Sequence, residues 1–187
     1  FNAQAASVQK EHRLERMARA MGLASATDIP QAIRDMNARL GLPGGLGEMG
    51  VKADQFQKII AGALAHSKAK GYKPMGVAVL DDSGNLKAFA REDGATMMRF
   101  DVAVGKAYGA VAFSVSSRTL AERAKDNPNF FLGLAATAHG KFLAQPGAVL
   151  IKDAQGRILG SAGASGGTGD EDEEICAAGI KAAGLLT

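Results

Sequence analysis

The chain has 187 residues, 47% of them hydrophobic and 22% charged, with a formal net charge of +3. This is the composition of a globular protein of one domain, or of one domain with an appendage, and no apolar run approaches the roughly 18 residues that a membrane helix needs. A single cysteine, Cys176, excludes an intrachain disulfide and a cysteine-based zinc site, and the net charge is too thinly spread to make the dense basic stripe of a nucleic-acid binder.

Residues 1–70 read as helices. Val8, Leu14, Met17, Ala18 and Met21 recur at three- and four-residue spacing, and Gly22 can stop that helix. Thr27 or Asp28 can cap the next helix, with Pro30 in its first turn and Ile33, Met36 and Leu40 on its apolar face. Leu42-Pro43-Gly44-Gly45-Leu46-Gly47 breaks it. Phe56, Ile59, Ile60, Ala63 and Leu64 mark a third helix that ends near Gly71.

The period then changes. Met75–Leu80 and Leu86–Arg91, separated by Asp82-Ser83-Gly84-Asn85, read as a hairpin. Helical spacing returns from about Thr96 to Phe113, and Ser117 or Thr119 can cap a short helix carrying Leu120 and Ala124, with Ser116-Ser117 also resembling a helix cap. Pro128 to Gln145 is mixed, with one strand or short helix. A second hairpin joins Ala148–Lys152 to Arg157–Ala164, and the last helix runs from about Asp170 to Ala183. The expected fold is α+β: an antiparallel sheet of about five strands flanked by helices, with an N-terminal helical extension over residues 1–50 and the sheet domain over 51–187. The many glycines and alanines predict helices packed close on the sheet.

The run from Gly163 to Gly179 passes from small residues to the acids Asp170–Glu174 and then to an Ala-rich helix. Backbone N–H groups at Ser165, Gly166, Gly167 and Thr168 could hold a ligand, but the acids stand where an anion would sit and suit a helix cap better. A carboxylate-lined polar or cation site stays open beside that reading. Arg91, at the end of the first hairpin, and Lys106, on the following helix, are either salt-bridged to nearby carboxylates or part of a polar pocket for a carboxylated ligand. His139, amid small residues, is the histidine nearest in character to a pocket, as a haem ligand or general base. His66 reads as a surface or interface residue, and His12 as exposed. No residues have metal-site spacing, and no serine has a partnered histidine. Met97-Met98 and Phe130-Phe131 read as core or subunit interface.

These stretches carry two resemblances. From about Val51 to Thr187 the chain resembles the GlcG/HbpS family, which includes haem-binding proteins and the C-terminal domain of PduO-type proteins. The resemblance rests on Phe56–Lys70, Gly76-Val77-Ala78-Val79-Leu80-Asp81, Ala90–Ala95, Ala103-Val104-Gly105-Lys106-Ala107, Pro146–Ile151 and the Ser165–Gly179 run. It implies haem as the named ligand, a homo-oligomer, and Asp172 as the matching acidic position. Residues 1–50 resemble the C-terminal end of iron-containing alcohol dehydrogenases, through Arg19-Ala20-Met21-Gly22-Leu23, Ala32–Asn37 and Leu40–Leu46. The nucleotide and metal sites of those enzymes lie upstream of this point, so the segment implies ancestry or fusion rather than dehydrogenase activity.

The first functional reading is therefore a small-ligand-binding accessory protein, with haem as candidate cofactor and Arg91, Lys106, His139, Ser165, Gly166, Gly167, Thr168 and Asp172 as candidate ligand-binding residues. Two others stand beside it: an enzyme or enzyme subunit acting on a small oxygenated metabolite, and a structural oligomerisation module. A small-molecule partner and a second copy are expected; nucleic acid and membrane are not. The chain begins with Phe1 and reads as a processed product or fragment, so the expected cytoplasmic location leaves secretion open.

Overall fold

The computed structural model describes residues 13–40 and 53–187. Expectations placed on Val8, His12 and the Leu42–Gly47 break lie outside the described residues. The chain divides into two compact units, residues 1–50 and 51–187.

In the first unit, helices α1 (Arg13–Ala20) and α2 (Ile29–Arg39) flank a 3-10 turn at Ala26–Asp28. The cap falls earlier than the sequence suggests. Ser25 Oγ accepts from the Thr27 amide at 3.2 Å, and the Ser25 amide donates to Asp28 Oδ2 at 3.1 Å, closing a capping box on the turn. Asp28 precedes α2 without a side-chain bond to it, and Pro30 fills the first turn.

The second unit runs α3 (Ala53–Lys70), β1 (Gly76–Asp81), β2 (Leu86–Arg91), α4 (Arg99–Phe113), α5 (Ser117–Asp126), α6 (Pro128–Thr137), β3 (Ala148–Lys152), β4 (Ile158–Ser165) and α7 (Gly169–Ala182). The sheet has four strands in the order β2-β1-β4-β3, every pair antiparallel. The fold is α+β, with four strands among the described residues rather than the expected five. The missing strand is α6. Pro128 sits in its first turn, where a lost N–H costs nothing. Phe131, Leu134, Ala135 and Ala138, at helical spacing, pack on the cluster that Leu120 and Phe142 complete.

Each hairpin turn is held by an aspartate at the strand end. Asp81 Oδ1 accepts from the amides of Ser83 (3.0 Å) and Asn85 (2.8 Å). Asp153 Oδ1 does the same for Gln155 (2.9 Å) and Arg157 (2.8 Å). These are Asx turns, in which the carboxylate replaces the partners that the reversing backbone loses.

The two inner strands, β1 and β4, are covered on both faces, and strand alternation assigns the two layers. Gly76, Ala78 and Leu80 pair with Ser165, Gly163 and Ser161, and this set faces α4: Ser161 Oγ donates to the Ala107 carbonyl at 2.7 Å. The opposite set, with Val77, Val79, Ala162 and Ala164, lies on the side of α3 and α7 with the buried Ile59, Ile175 and Ile180. Burying each such aliphatic side chain is worth about 1.5–3 kcal/mol. The small residues set the layer spacing. A Cβ on Gly163 would collide with the Ala103 carbonyl of α4, and one on Gly179 with the Ile59 carbonyl of α3.

Candidate functional site

The acidic run opens α7, and the fold gives each of its five carboxylates a partner. Thr168 is the N-cap: its Oγ1 accepts from the Glu171 amide at 3.3 Å, and Glu171 Oε2 accepts from the Thr168 amide at 2.7 Å. Asp170 and Glu173 both engage Arg118 of α5, the latter through Nε at 2.9 Å. Glu174 Oε1 lies 2.9 Å from both His66 Nε2 and Lys70 Nζ, and its Oε2 accepts from the Tyr72 hydroxyl at 2.6 Å. Those three bonds, Tyr72's foremost, hold the Glu174 carboxyl down at about 2, and the same bond raises the Tyr72 phenol to about 12.

Asp172 is the buried member, 1% exposed. Its Oδ2 meets Lys106 Nζ at 2.7 Å, with the lysine side chain 8% exposed. The ammonium also donates to the Ala164 carbonyl at 3.1 Å, and Asp172 Oδ1 accepts from the Gly167 amide at 3.1 Å. A Cβ on Gly147 would lie 2.5 Å from Lys106 Nζ, so the backbone closes directly over the pair. Lys106 and Asp172 thus join α4 to α7, which lie on opposite faces of the sheet.

The eight candidate residues therefore separate. Lys106, Asp172, Gly167 and Thr168 form one connected network at the start of α7. The space beside Gly166 and Gly167 is filled by Met75, Pro74 and Glu171, against which any added Cβ would collide. Ser165 is buried, with Arg99 Nη1 at 3.4 Å from its hydroxyl. Arg91 pairs across Gly76 from Ser165 at the same end of the sheet, but its guanidinium points outward and donates to the Ala95 carbonyl at 3.1 Å. Cys176 is buried in α7, and burial pushes its thiol up. Among the described residues no three potential metal ligands cluster.

His139 lies elsewhere, at a cleft of about 450 Å³. It follows the C-terminus of α6 with φ 52°, the left-handed region that glycine usually fills, and Gly140 follows it with φ 76°. Its neighbours in the cleft are Phe100, Val104 and Tyr108 of α4, Leu86 of the first hairpin, and Lys141. The lining is mixed: beside those apolar side chains stand Asn85, Asp101, the His139 imidazole and the Lys141 ammonium. Tyr108 and Lys141 escape notice in the sequence. Tyr108 reads there as one more residue of an apolar helix, and only the fold brings Lys141 to α4.

Two further concavities adjoin. An apolar groove of about 300 Å³ is lined by Pro128, Phe131, Leu132, Ala135, Phe142 and Leu143. Beyond Ala124 and Ala144 lies a polar cleft of about 460 Å³ with Arg118, Glu122, Lys125 and Gln145. One segment, 139–146, supplies wall residues to all three.

Comparison with known proteins adds family to geometry. The family model described as "Haem degrading protein HbpS-like" matches residues 51–181. The fold is shared with the crystal structure of a PduOC–haem complex, at TM-score 0.65 and 22% identity over 73% of this chain and 97% of that one. A double mutant of Streptomyces reticuli HbpS aligns at TM-score 0.61 and 26% identity, over 70% of this chain and 85% of that one. A different relative is the 4-hydroxybutyrate dehydrogenase of Cupriavidus necator, 55% identical over 64 residues. That match spans 34% of this chain and 17% of the dehydrogenase.

Proposed function

From the premise that this chain belongs to the HbpS-like family, we propose that it binds haem, or a flat haem-like ligand, in the cleft between α4, the first hairpin and the His139-Gly140-Lys141 corner. The observation that carries this reading is His139. A non-glycine residue stands in the left-handed region among the residues that line the cleft, and a conformation of that kind is a pointer to a use for the side chain.

The donor set fits the group. Haem needs an apolar wall, a donor for its iron and a partner for its carboxylates. Phe100, Val104, Tyr108 and Leu86 supply apolar wall, the His139 imidazole the donor, and Lys141 a cation for the ligand's carboxylates, which would have to seat on its side and away from Asp101 in the same lining. Bound haem would supply a redox-active iron. The chain's own part is to orient the ring plane, shield one face from water and fix the imidazole. The name of the PduOC–haem complex supports haem as the ligand class.

Titrating the full chain with haem and following Soret absorbance tests the proposal. Wild type is expected to bind at micromolar concentration, and His139→Gly to weaken binding by about tenfold or more, a loss of roughly 1.4 kcal/mol. The same change removes the left-handed strain, so its folding stability is expected to stay within about 1 kcal/mol of wild type. A His139→Gly protein with the wild-type spectrum and affinity would reject His139 as the donor. The alternative, an enzyme acting on a small oxygenated metabolite, has the dehydrogenase likeness in its favour. It has less support at Arg91, Lys106 and Asp172, whose charged groups already have partners inside the fold.

A further inference from the structure

The polar cleft of about 460 Å³ beside α5 has no task in the haem proposal. Its volume falls within the range of small-molecule sites. Arg118, Glu122 and Lys125 follow one another at four and three positions on α5, so helical spacing sets them in one row along a single wall. The row is about 10 Å long. Residues 144–146 supply the rest of the lining.

Arg118 is the fixed member of the row. Its Nε donates to Glu173 Oε2 at 2.9 Å, and its Nη2 engages both Asp170 and Glu173 of α7. Two carboxylates on one guanidinium set its plane before any ligand arrives. Its Nη1 has no acceptor among the described residues. Glu122 and Lys125 differ from it. Both are exposed, and neither has a hydrogen-bond or ion-pair partner among the described residues. They stand one turn apart with opposite charge, yet do not pair with each other.

We propose that this cleft binds the zwitterion of a small aliphatic α-amino acid. Arg118 Nη1 and the Lys125 ammonium take its carboxylate. Glu122, between them in the row, takes its ammonium. The methyls of Ala121, Ala124 and Ala144 and the Pro146 ring receive the alkyl side chain.

The charge count selects this class. Three carboxylates, Glu122, Asp170 and Glu173, stand around the two cations Arg118 and Lys125, so the site is net negative. A phosphate or a dicarboxylate would add negative charge and be repelled. A neutral apolar molecule would cover Glu122 and Lys125 without satisfying either, at a desolvation cost. A metal ion lacks its donors, since no three potential ligands cluster among the described residues. An amino acid brings one charge of each sign on a single carbon and answers both. The alanines and the proline leave room for a short side chain. The cleft is open and its charges are exposed, so the dissociation constant is expected at about 0.1–1 mM. Nothing in this inference rests on the haem proposal, whose His139 and Lys141 line another cleft.

The test is an amide chemical-shift titration of the full chain with L-alanine and L-valine. Saturable shifts are expected at Ala121, Glu122 and Gln145. N-acetyl-L-valine lacks the ammonium and L-valinamide lacks the carboxylate, and each is expected to bind at least about tenfold more weakly than L-valine. Glu122→Gln and Lys125→Met are each expected to weaken L-valine binding by about fivefold or more. Lys181→Met, in the last turn of α7, is expected to keep the wild-type affinity. The dispersion of the same spectra reports whether each variant is folded. Failure of both amino acids to shift those amides at about 20 mM, far above the expected constant, would overturn the inference. So would wild-type affinity in Glu122→Gln or Lys125→Met. Equal binding of either blocked derivative would show that the cleft reads the alkyl group rather than the zwitterion. Shifts confined to the groove of Phe131 and Leu132 would place the amino acid elsewhere and overturn it too.

Discussion

Lys106 and Asp172 test how a single buried charge is tolerated. The carboxylate is 1% exposed, and removing one partner of such a pair costs about 3–5 kcal/mol because the other is left charged and dry. Lys106→Met is expected to lower chemical stability by that amount. The double variant Lys106→Met with Asp172→Leu is expected to recover all but about 1–2 kcal/mol, the residue reflecting the Gly167 amide that loses its acceptor. Urea denaturation of the full chain checks both, and a double variant no better than the single would show that the pair is not isolated. The sequence foretold that acids here would serve the helix start, and Thr168 with Glu171 does so. It could not tell which acid goes to which base. Arg118 lies 52 positions from Asp170, and His66 108 from Glu174; such pairings arise only when the layers close.

Among the elements, α3 and α7 are joined by the Glu174 cluster, and that joint has its own pH window. The folded Glu174 value of about 2 is below its ordinary one, which is about 4.3. Its contribution is therefore present above about 4.3 and lost as pH falls toward 2. The folded Tyr72 value of about 12 is above its ordinary one, which is about 10, so the hydroxyl bond is complete below about 10 and lost as pH rises through 12. The urea midpoints of wild type and Glu174→Gln are expected to differ by a constant amount above about pH 5, to approach each other as pH falls below about 4.3, and to converge only near pH 2. A gap unchanged from pH 5 down to pH 2 would mean that the ionised carboxylate contributes nothing. Element types were legible wherever one period ran long enough, as in α3, α4, α7 and both hairpins. The Pro128–Gln145 stretch was not, because apolar residues that are uniformly dense show neither the alternation of a strand nor the stripe of a helix. Its ten-residue helix cost the expected fifth strand.

For the whole molecule, the chain divides into residues 1–50 and 51–187, and the second unit is expected to fold by itself. Its sheet, both helix layers and all three clefts come from residues 53–187. Residues 51–187 produced alone are expected to melt cooperatively and to keep the haem affinity of the full chain within about twofold. A fragment that melts without a cooperative transition would overturn this expectation. The family likeness was readable from the sequence because its short stretches lie in order along the sheet and α7. The cleft was not, because its walls come from α4, a hairpin and a corner that are distant in the chain. That corner leads into the segment shared by the clefts, which is tied to α4 where the Leu143 amide donates to the Gly105 carbonyl at 3.1 Å. Gly105 lines the His139 cleft and Leu143 the apolar groove. A ligand held in either space would press on the same hydrogen bond, so the exchange rate of that one backbone proton is expected to report the occupancy of both.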